Sequence, residues 1–270
     1  MCTLIAGIDL LGPRTLVLGA NRDESPERAS DGPGVLRERP RVVGGRDRVA
    51  GGTWLAIREA RAVTALMNRR PTPGVAPRAG SATPRSRGLL CLEAAASGPA
   101  ADAPALIDPG TGERHAARLH SALSLVAREA YAACTLVGLD LEEPSWALLA
   151  EAGTETGVRL LEPGWHVITH ADVDDPNEPR TAWLMERLRG FSPRNPGEAL
   201  DGLADLLRTH ADPVHGTPGV CLHRDRFPTV SSSLVALGIA PPGEVGAPRY
   251  LHAPGPPCTT PYDDVSRLLG

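Results

Sequence analysis

Two short runs near the start of the chain, Thr3 to Ile8 and Thr15 to Ala20, are apolar and partly β-branched and are separated by Gly12-Pro13. Strand-length runs broken by such a step predict a β-hairpin. From Ser25 to Ala50, Pro, Gly and Arg dominate without any period, which predicts a long irregular loop beside a site. A second hairpin is predicted from Thr53 to Ile57 and Ala62 to Met67, turning near Arg58 to Ala60, and Arg69 to Arg85 reads as another Pro-rich loop. Ser86 to Ala96 and Gly112 to Ala132 carry apolar residues three and four apart, with Leu119, Leu123, Val126 and Ala130 on one face of the second helix. Four short runs bounded by Gly, Pro or acidic residues, Cys134 to Leu139, Trp146 to Ala150, Val158 to Leu161 and Trp165 to Thr169, predict a meander of strands. Helices return at Pro179 to Leu188 and Gly197 to Thr209. Strands follow at Gly219 to Leu222, Val230 to Leu237 and Arg249 to His252, and a short helix begins at Tyr262. Strand runs alternate with pairs of helices rather than one for one, so the pattern predicts an α+β chain of mostly antiparallel sheets layered with helices. No repeat or linker divides it, and residues 1–270 read as a single domain.

Composition narrows the function classes. The chain is 41% hydrophobic and 22% charged, and no apolar run approaches the roughly 20 residues a membrane-spanning helix needs. The first residues lack the basic and apolar regions of a secretory signal. A net charge of −4 with scattered basic residues, and only 3% aromatics, gives no basis for nucleic-acid binding. Cys2, Cys91, Cys134, Cys221 and Cys258 form an odd set without a Cys-x-x-Cys pair, which argues against a disulfide framework or a zinc finger and fits a reducing cytoplasm. All 28 residues counted as Lys or Arg are Arg, which excludes a Schiff-base lysine and a P-loop lysine.

The candidate chemistry is at the amino terminus. Methionine is removed before small residues, so the mature chain is expected to begin with Cys2 and to carry nucleophile and base on one residue. An α-amine titrates near ~7.7–8.0, so part of it is neutral at physiological pH and can take a proton from a thiol of pKa about 8.5. Asn21-Arg22-Asp23-Glu24 closes the second strand, and a hairpin returns that end toward Cys2. There Asp23 could orient the α-amine, Arg22 could hold a thiolate or a substrate carboxylate, and Glu24 could fix the loop. A small cysteine buried at a strand start and a solvated turn account for the same residues without chemistry.

Met1-Cys2-Thr3, the run Asn21 to Arg28, Gly51-Gly52-Thr53-Trp54-Leu55 and Ala65-Leu66-Met67-Asn68 together resemble the NRDE family, also called the transport and Golgi organisation protein 2 family. Ser86-Arg87-Gly88, Cys221-Leu222-His223 and Ser231-Ser232-Ser233-Leu234 extend a weaker likeness toward the end of the chain. That family is similar to the N-terminal nucleophile hydrolases of the choloylglycine hydrolase and penicillin V acylase type. The resemblance implies a four-layered αββα sandwich in which Cys2 is the nucleophile, Arg22 and Asp23 assist it, and Asn68 contributes to an oxyanion hole. One such donor is typically worth about 10²–10³ in rate. It further implies substrate contacts from Asn21, Gly52, Thr53, Trp54 and Ser231, with no metal or cofactor. Trp54 could form an apolar wall beside paired glycines, and a loop-to-strand transition around a core tryptophan fits it equally well.

Where relatives usually carry Leu-Ser-Asn after a Gly-rich strand, this chain has Val167-Ile168-Thr169-His170, so His170 replaces an asparagine and could serve as oxyanion donor or as acid and base. The arginine usual before the serine pair is absent near Thr229, with Arg224 or Arg226 as substitutes. His166 and His170 share a strand face before Asp172, Asp174 and Asp175, but a spacing of four separates them by about 13 Å, too far for one ion. Cys221 and His223, two apart on a predicted strand, read as packing rather than a catalytic pair. Two functions follow. One is an amidohydrolase or acyltransferase acting on a small amide or peptide-like substrate through a thioester on Cys2. The other is a non-catalytic carrier of haem, lipid or acyl-coenzyme A. A homo-oligomer is compatible with either.

Overall fold

The computed structural model describes residues 2–71, 84–97, 117–151, 154–238 and 247–270. It divides into two compact units, Met1–Gly32 with Glu162–Gly270, and Pro33–Leu161. Each is a mostly antiparallel sheet with a pair of helices, so the α+β class holds. No helix among the described residues is long and apolar enough to cross a membrane.

The first unit contains β1 (Thr3–Ile8), β2 (Leu16–Asp23), β10 (Gly164–Ile168), β11 (Thr229–Leu237), β12 (Arg249–Ala253) and β13 (Asp263–Asp264), in the order β10-β1-β2-β11-β12-β13. The predicted first hairpin is present, with Thr3 opposite Asn21 and Ile8 opposite Leu16. Every residue of β1 and β2 is buried, the signature of strands covered on both faces. Ile5, Val17, Val167 and Leu234 pack against Leu184 and Leu188 of α3 (Pro179–Arg189) and Leu200, Leu203 and Leu207 of α4 (Pro196–Leu207). Both helices start as their sequences dictate, with Pro in the first turn. Glu178 caps α3 by accepting from the Thr181 N–H, and Asn195 caps α4 by accepting from the Glu198 N–H.

The second unit is a meander in sequence order, β3 (Ser30–Arg37), β4 (Val42–Asp47), β5 (Leu55–Arg58), β6 (Ala62–Asn68), β7 (Cys134–Asp140), β8 (Ser145–Glu151) and β9 (Thr154–Leu161), with β3 straddling the division between units. The predicted turn between β5 and β6 is present: Glu59 and Ala60 both take positive φ, and the Arg61 N–H donates to the Arg58 carbonyl, as a tight hairpin requires. Helices α1 (Arg87–Ala96) and α2 (Ala117–Arg128) bury Leu90, Cys91, Ala94, Leu119, Ala122 and Val126 against Leu66, Cys134, Leu136, Trp146 and Leu148.

Several predicted elements need correction. The Ser25 to Ala50 stretch is not irregular, since β3 and β4 lie within it. Its Pro and Gly are tolerated because β3 is an edge strand. The fourth run of the predicted meander, β10, leaves that sheet and pairs with β1. Gly219 to Leu222 is loop rather than strand: the Val220 and Cys221 N–H groups both donate to the Thr209 carbonyl, and the apolar side chains are buried by loop packing. Helix α2 ends at Arg128, leaving Ala130 beyond it. The chain closes on β13 and a 3₁₀ turn, Ser266–Leu269, in place of the predicted α-helix. The predicted loop at Arg69 to Arg85 and the predicted helix start at Gly112 fall largely outside the described residues.

A charged pair is sealed into the second unit. Arg118 Nη1 donates to Asp140 Oδ2 at 3.0 Å and its Nη2 donates to Thr64 Oγ1 at 2.8 Å, with both charged side chains almost fully buried. Burial pulls the Arg118 guanidinium below its ordinary range, and the Asp140 carboxylate opposes that pull. Removing one partner leaves an uncompensated buried charge, so Asp140→Ala is expected to cost about 3–5 kcal/mol. Urea denaturation checks this. A loss below about 1 kcal/mol would mean that solvent reaches Arg118 in the variant.

Candidate active site

Cys2 stands one residue ahead of β1, and the β1–β2 ladder brings the end of β2 alongside it. The sulfur accepts a backbone hydrogen bond from Asp23, and the charges of Asp23 and Arg22 both act on it. Asp23 is buried at the last position of β2, where its Oδ1 accepts from Thr229 Oγ1 at 2.7 Å and its Oδ2 lies 3.7 Å from Arg180 Nη1. The same Nη1 donates to Thr3 Oγ1 at 2.7 Å, so Arg180 ties α3 to the first residue of β1 and to the end of β2. Arg22 donates from Nη1 to Ser30 Oγ at 3.1 Å.

The electrostatics follow from burial. Cys2 is half-buried, and its thiol is pushed above its ordinary range first by lost solvation and then by the Asp23 carboxylate, while Arg22 pulls the other way. Burial also raises the Asp23 carboxyl to about 6, against the Thr229 hydrogen bond and the positive charges of Arg180 and Arg224. A thiol raised in this way is protonated at neutral pH and reacts only if a base takes its proton as it attacks.

The remaining sequence-derived residues separate into groups. Ser231 is buried on β11 opposite Arg22, and His170 lies half-buried two residues beyond β10, the other neighbour of β1. These join Cys2, Arg22 and Asp23 in the first unit. Asn21 turns its amide away, donating to the Leu207 carbonyl at 2.9 Å and the Val220 carbonyl at 3.0 Å, and so fastens β2 to α4 and the loop beyond it.

Gly52, Thr53, Trp54 and Asn68 belong to the second unit. The Thr53 N–H donates to the Gly88 carbonyl, and a Cβ on Gly52 would lie 2.1 Å from the Gly88 carbonyl carbon. Glycine is therefore demanded at position 52 by the start of α1, which joins the Gly-Gly-Thr-Trp and Ser-Arg-Gly motifs in one contact. Trp54 is half-buried, and Asn68 ends β6 opposite Cys134. His166 contributes to the frame of the first unit: its Nδ1 lies 2.8 Å from Asp174 Oδ2 and its Nε2 lies 2.8 Å from the Glu162 carbonyl.

Sequence reasoning missed Arg180 and Thr229. Arg180 did leave a signal, because an arginine in the first turn of α3 opposes the helix dipole, and such a residue needs an anion nearby. Asp23 is that anion. Thr229 carries no comparable mark in the sequence.

The Caenorhabditis elegans N-acylethanolamine-hydrolyzing acid amidase ortholog superposes with a TM-score of 0.55 at 14% identity, covering 86% of this chain and 92% of its own. The penicillin V acylase of Agrobacterium tumefaciens also gives a TM-score of 0.55, at 10% identity, covering 98% of this chain and 87% of its own. At these identities the likeness establishes the fold, which is that of the N-terminal nucleophile acylases. No curated protein matches by sequence. The Transport and Golgi organisation 2 profile matches residues 1–209, more than half of the sequence, and the chain belongs to that family.

Proposed function

We propose that this chain is an N-terminal nucleophile amidohydrolase or acyltransferase in which Cys2, freed by loss of Met1, attacks a small amide or peptide-like substrate. The observation that carries this reading is a half-buried thiol at the head of β1, bonded to the Asp23 backbone and acted on by the charges of both Asp23 and Arg22. The neutral α-amine of Cys2 takes the thiol proton as sulfur adds to the amide carbon and the carbonyl electrons move onto oxygen. Collapse breaks the C–N bond, the ammonium returns the proton to the leaving amine, and a thioester remains. The same α-amine then deprotonates water, which releases the acid and restores the thiol. An acceptor amine or hydroxyl in place of water gives acyl transfer.

Asp23 orients the terminal ammonium in this scheme, with Arg180 and Thr229 holding the carboxylate. Of the two residues that family resemblance assigns to the developing oxyanion, Asn68 and His170, His170 belongs to the same unit as Cys2 and is the donor in this scheme. Ser231, opposite Arg22 in the same unit as Cys2, keeps a substrate-facing role on the same basis, whereas the Asn21 amide is used in fastening β2 to α4 and Gly52 and Thr53 are packed at the start of α1.

Intact-mass analysis followed by incubation with N-acyl amides and phenoxymethyl penicillin tests the scheme. The expected result is a chain lacking Met1 and a hydroxylamine-labile acyl group on the peptide that begins with Cys2. Turnover by protein that retains Met1, or an acyl group on another residue, would overturn it.

A further inference from the structure

Outside the residues used above, three separate segments bring four metal-ligating side chains together. His210 follows α4, Cys221 and His223 lie in the loop that leads to β11, and Cys258 lies in the loop after β12. One potential ligand atom from each lies within 4.8 Å of all the others, and among the described residues no second group of His, Cys, Asp and Glu gathers in this way. We propose that His210, Cys221, His223 and Cys258 bind one zinc ion in a closed structural site. This assignment does not depend on the chemistry proposed for Cys2.

The distances suit a tetrahedron. Zn–S bonds of about 2.3 Å and Zn–N bonds of about 2.0–2.1 Å give ligand-to-ligand edges of roughly 3.3–3.8 Å. The two sulfurs lie 3.5 Å apart, Cys221 Sγ is 3.8 Å from His223 Nε2, and Cys258 Sγ is 3.1 Å from the same nitrogen. A sulfur separation of 3.5 Å is far beyond a disulfide bond of about 2.05 Å. The His210 and His223 rings meet edge to face with centroids 4.9 Å apart, so both imidazoles converge on the sulfurs. Two thiolates and two imidazoles select zinc over magnesium or calcium, and four protein ligands leave no position for a water nucleophile. Binding would release the two thiol protons, and the thiolates would neutralise the ion.

Reading Gly219 to Leu222 as a strand, with Cys221 and His223 as packing, hid this arrangement, since His210 and Cys258 come from other segments that no local pattern brings to the same place. The loop bends where the Val220 and Cys221 N–H groups both donate to the Thr209 carbonyl. An ion there would clamp a long segment of little regular structure. That segment reaches the Cys2 region through two contacts, Asn21 Nδ2 to the Val220 carbonyl and the Leu222 N–H to Thr229 Oγ1.

The test uses the full chain purified under reducing conditions, with its metal content measured and cobalt(II) titrated into chelator-treated protein. Stoichiometric zinc is expected, together with the intense visible absorption of tetrahedral thiolate-bound cobalt. Zinc removal should lower Tm by about 5–10 °C, as loss of a few kcal/mol does in a chain of this size. Bound metal should protect Cys221 and Cys258, but not Cys2, from alkylation. Cys258→Ser should weaken cobalt binding by more than the roughly 10–100-fold that loss of an outer-shell partner costs. The wild-type cobalt spectrum remains decisive if that variant does not fold. Zinc-free protein with no thiolate–cobalt absorption overturns the assignment, as does a Cys221–Cys258 disulfide in protein kept under reducing conditions.

Discussion

Cys2→Ala is expected to lose about 10⁴-fold or more in amide turnover, the scale seen when a nucleophile is removed from a site whose groups act as a unit. Its Tm should change by no more than about 1 kcal/mol would produce, because the residue is half-buried at the tip of a strand and one sulfur is all that is lost. Alanine is also small enough for Met1 to be removed, so this variant keeps the terminal amine and isolates the sulfur. The complementary experiment keeps the sulfur and removes the amine, by adding an uncleaved N-terminal extension ahead of wild-type Cys2. A loss of similar size is expected, since the thiol is raised by burial and by Asp23 and the α-amine is the base that the scheme assigns to it. Full turnover by either protein would end the proposal that one residue supplies both nucleophile and base.

The second large effect is a separation of stability from activity at Asp23. Its carboxyl titrates near 4 when unfolded and at about 6 in the folded chain, where burial disfavours the charged form. Below pH 4 both states hold the proton and the group contributes no difference. Between about 4 and 6 the unfolded chain gives up its proton first, so folding stability declines as pH rises and then levels off above 6. At roughly 1.4 kcal/mol per pH unit this amounts to about 3 kcal/mol. Asp23→Asn can still accept the Thr229 hydrogen bond and has no charge to bury. The stability of the variant relative to wild type should therefore improve by up to about 3 kcal/mol between pH 4 and pH 7, read from denaturation at each pH. Any fixed offset from the altered contact with Arg180 cancels in that comparison. Turnover should fall by up to about 10⁴, the scale of losing a carboxylate that holds a catalytic base in position. A pH-independent difference in stability would show that Asp23 is not the buried titrating group described here.

Local pattern made the Cys2 neighbourhood legible to a considerable degree. A hairpin is written in two apolar runs and the turn signal between them, and it carries Arg22 and Asp23 to the chain's first residues without knowledge of anything else. Arg180 and Thr229 reach the same place through helix docking and through pairing with a distant strand; the first-turn position of Arg180 hints at a nearby anion without saying which, and Thr229 has no local sequence signature. The edge strand β3 was obscured for a different reason, since an edge tolerates the Pro and Gly that ordinarily announce a loop, and β4 beside it is short and glycine-containing. The sheet to which β10 belongs could not be read either, because short apolar runs state that a strand exists but not its neighbour. His210, Cys221, His223 and Cys258 have no periodic template at all, and their convergence comes from loop geometry.

The pairing of β2 with β11 joins residues at opposite ends of the polypeptide, Asn21 with Ser232 and Asp23 with Thr229. During synthesis the meander can zip together from neighbouring strands as they emerge, whereas the opening hairpin must wait for most of the remaining chain. A polypeptide that stops before residue 229 thus lacks the threonine that steadies the Asp23 carboxylate, although Cys2 and Asp23 were made long before. The surroundings of Asp23 are in this way incomplete until residue 229 has been translated.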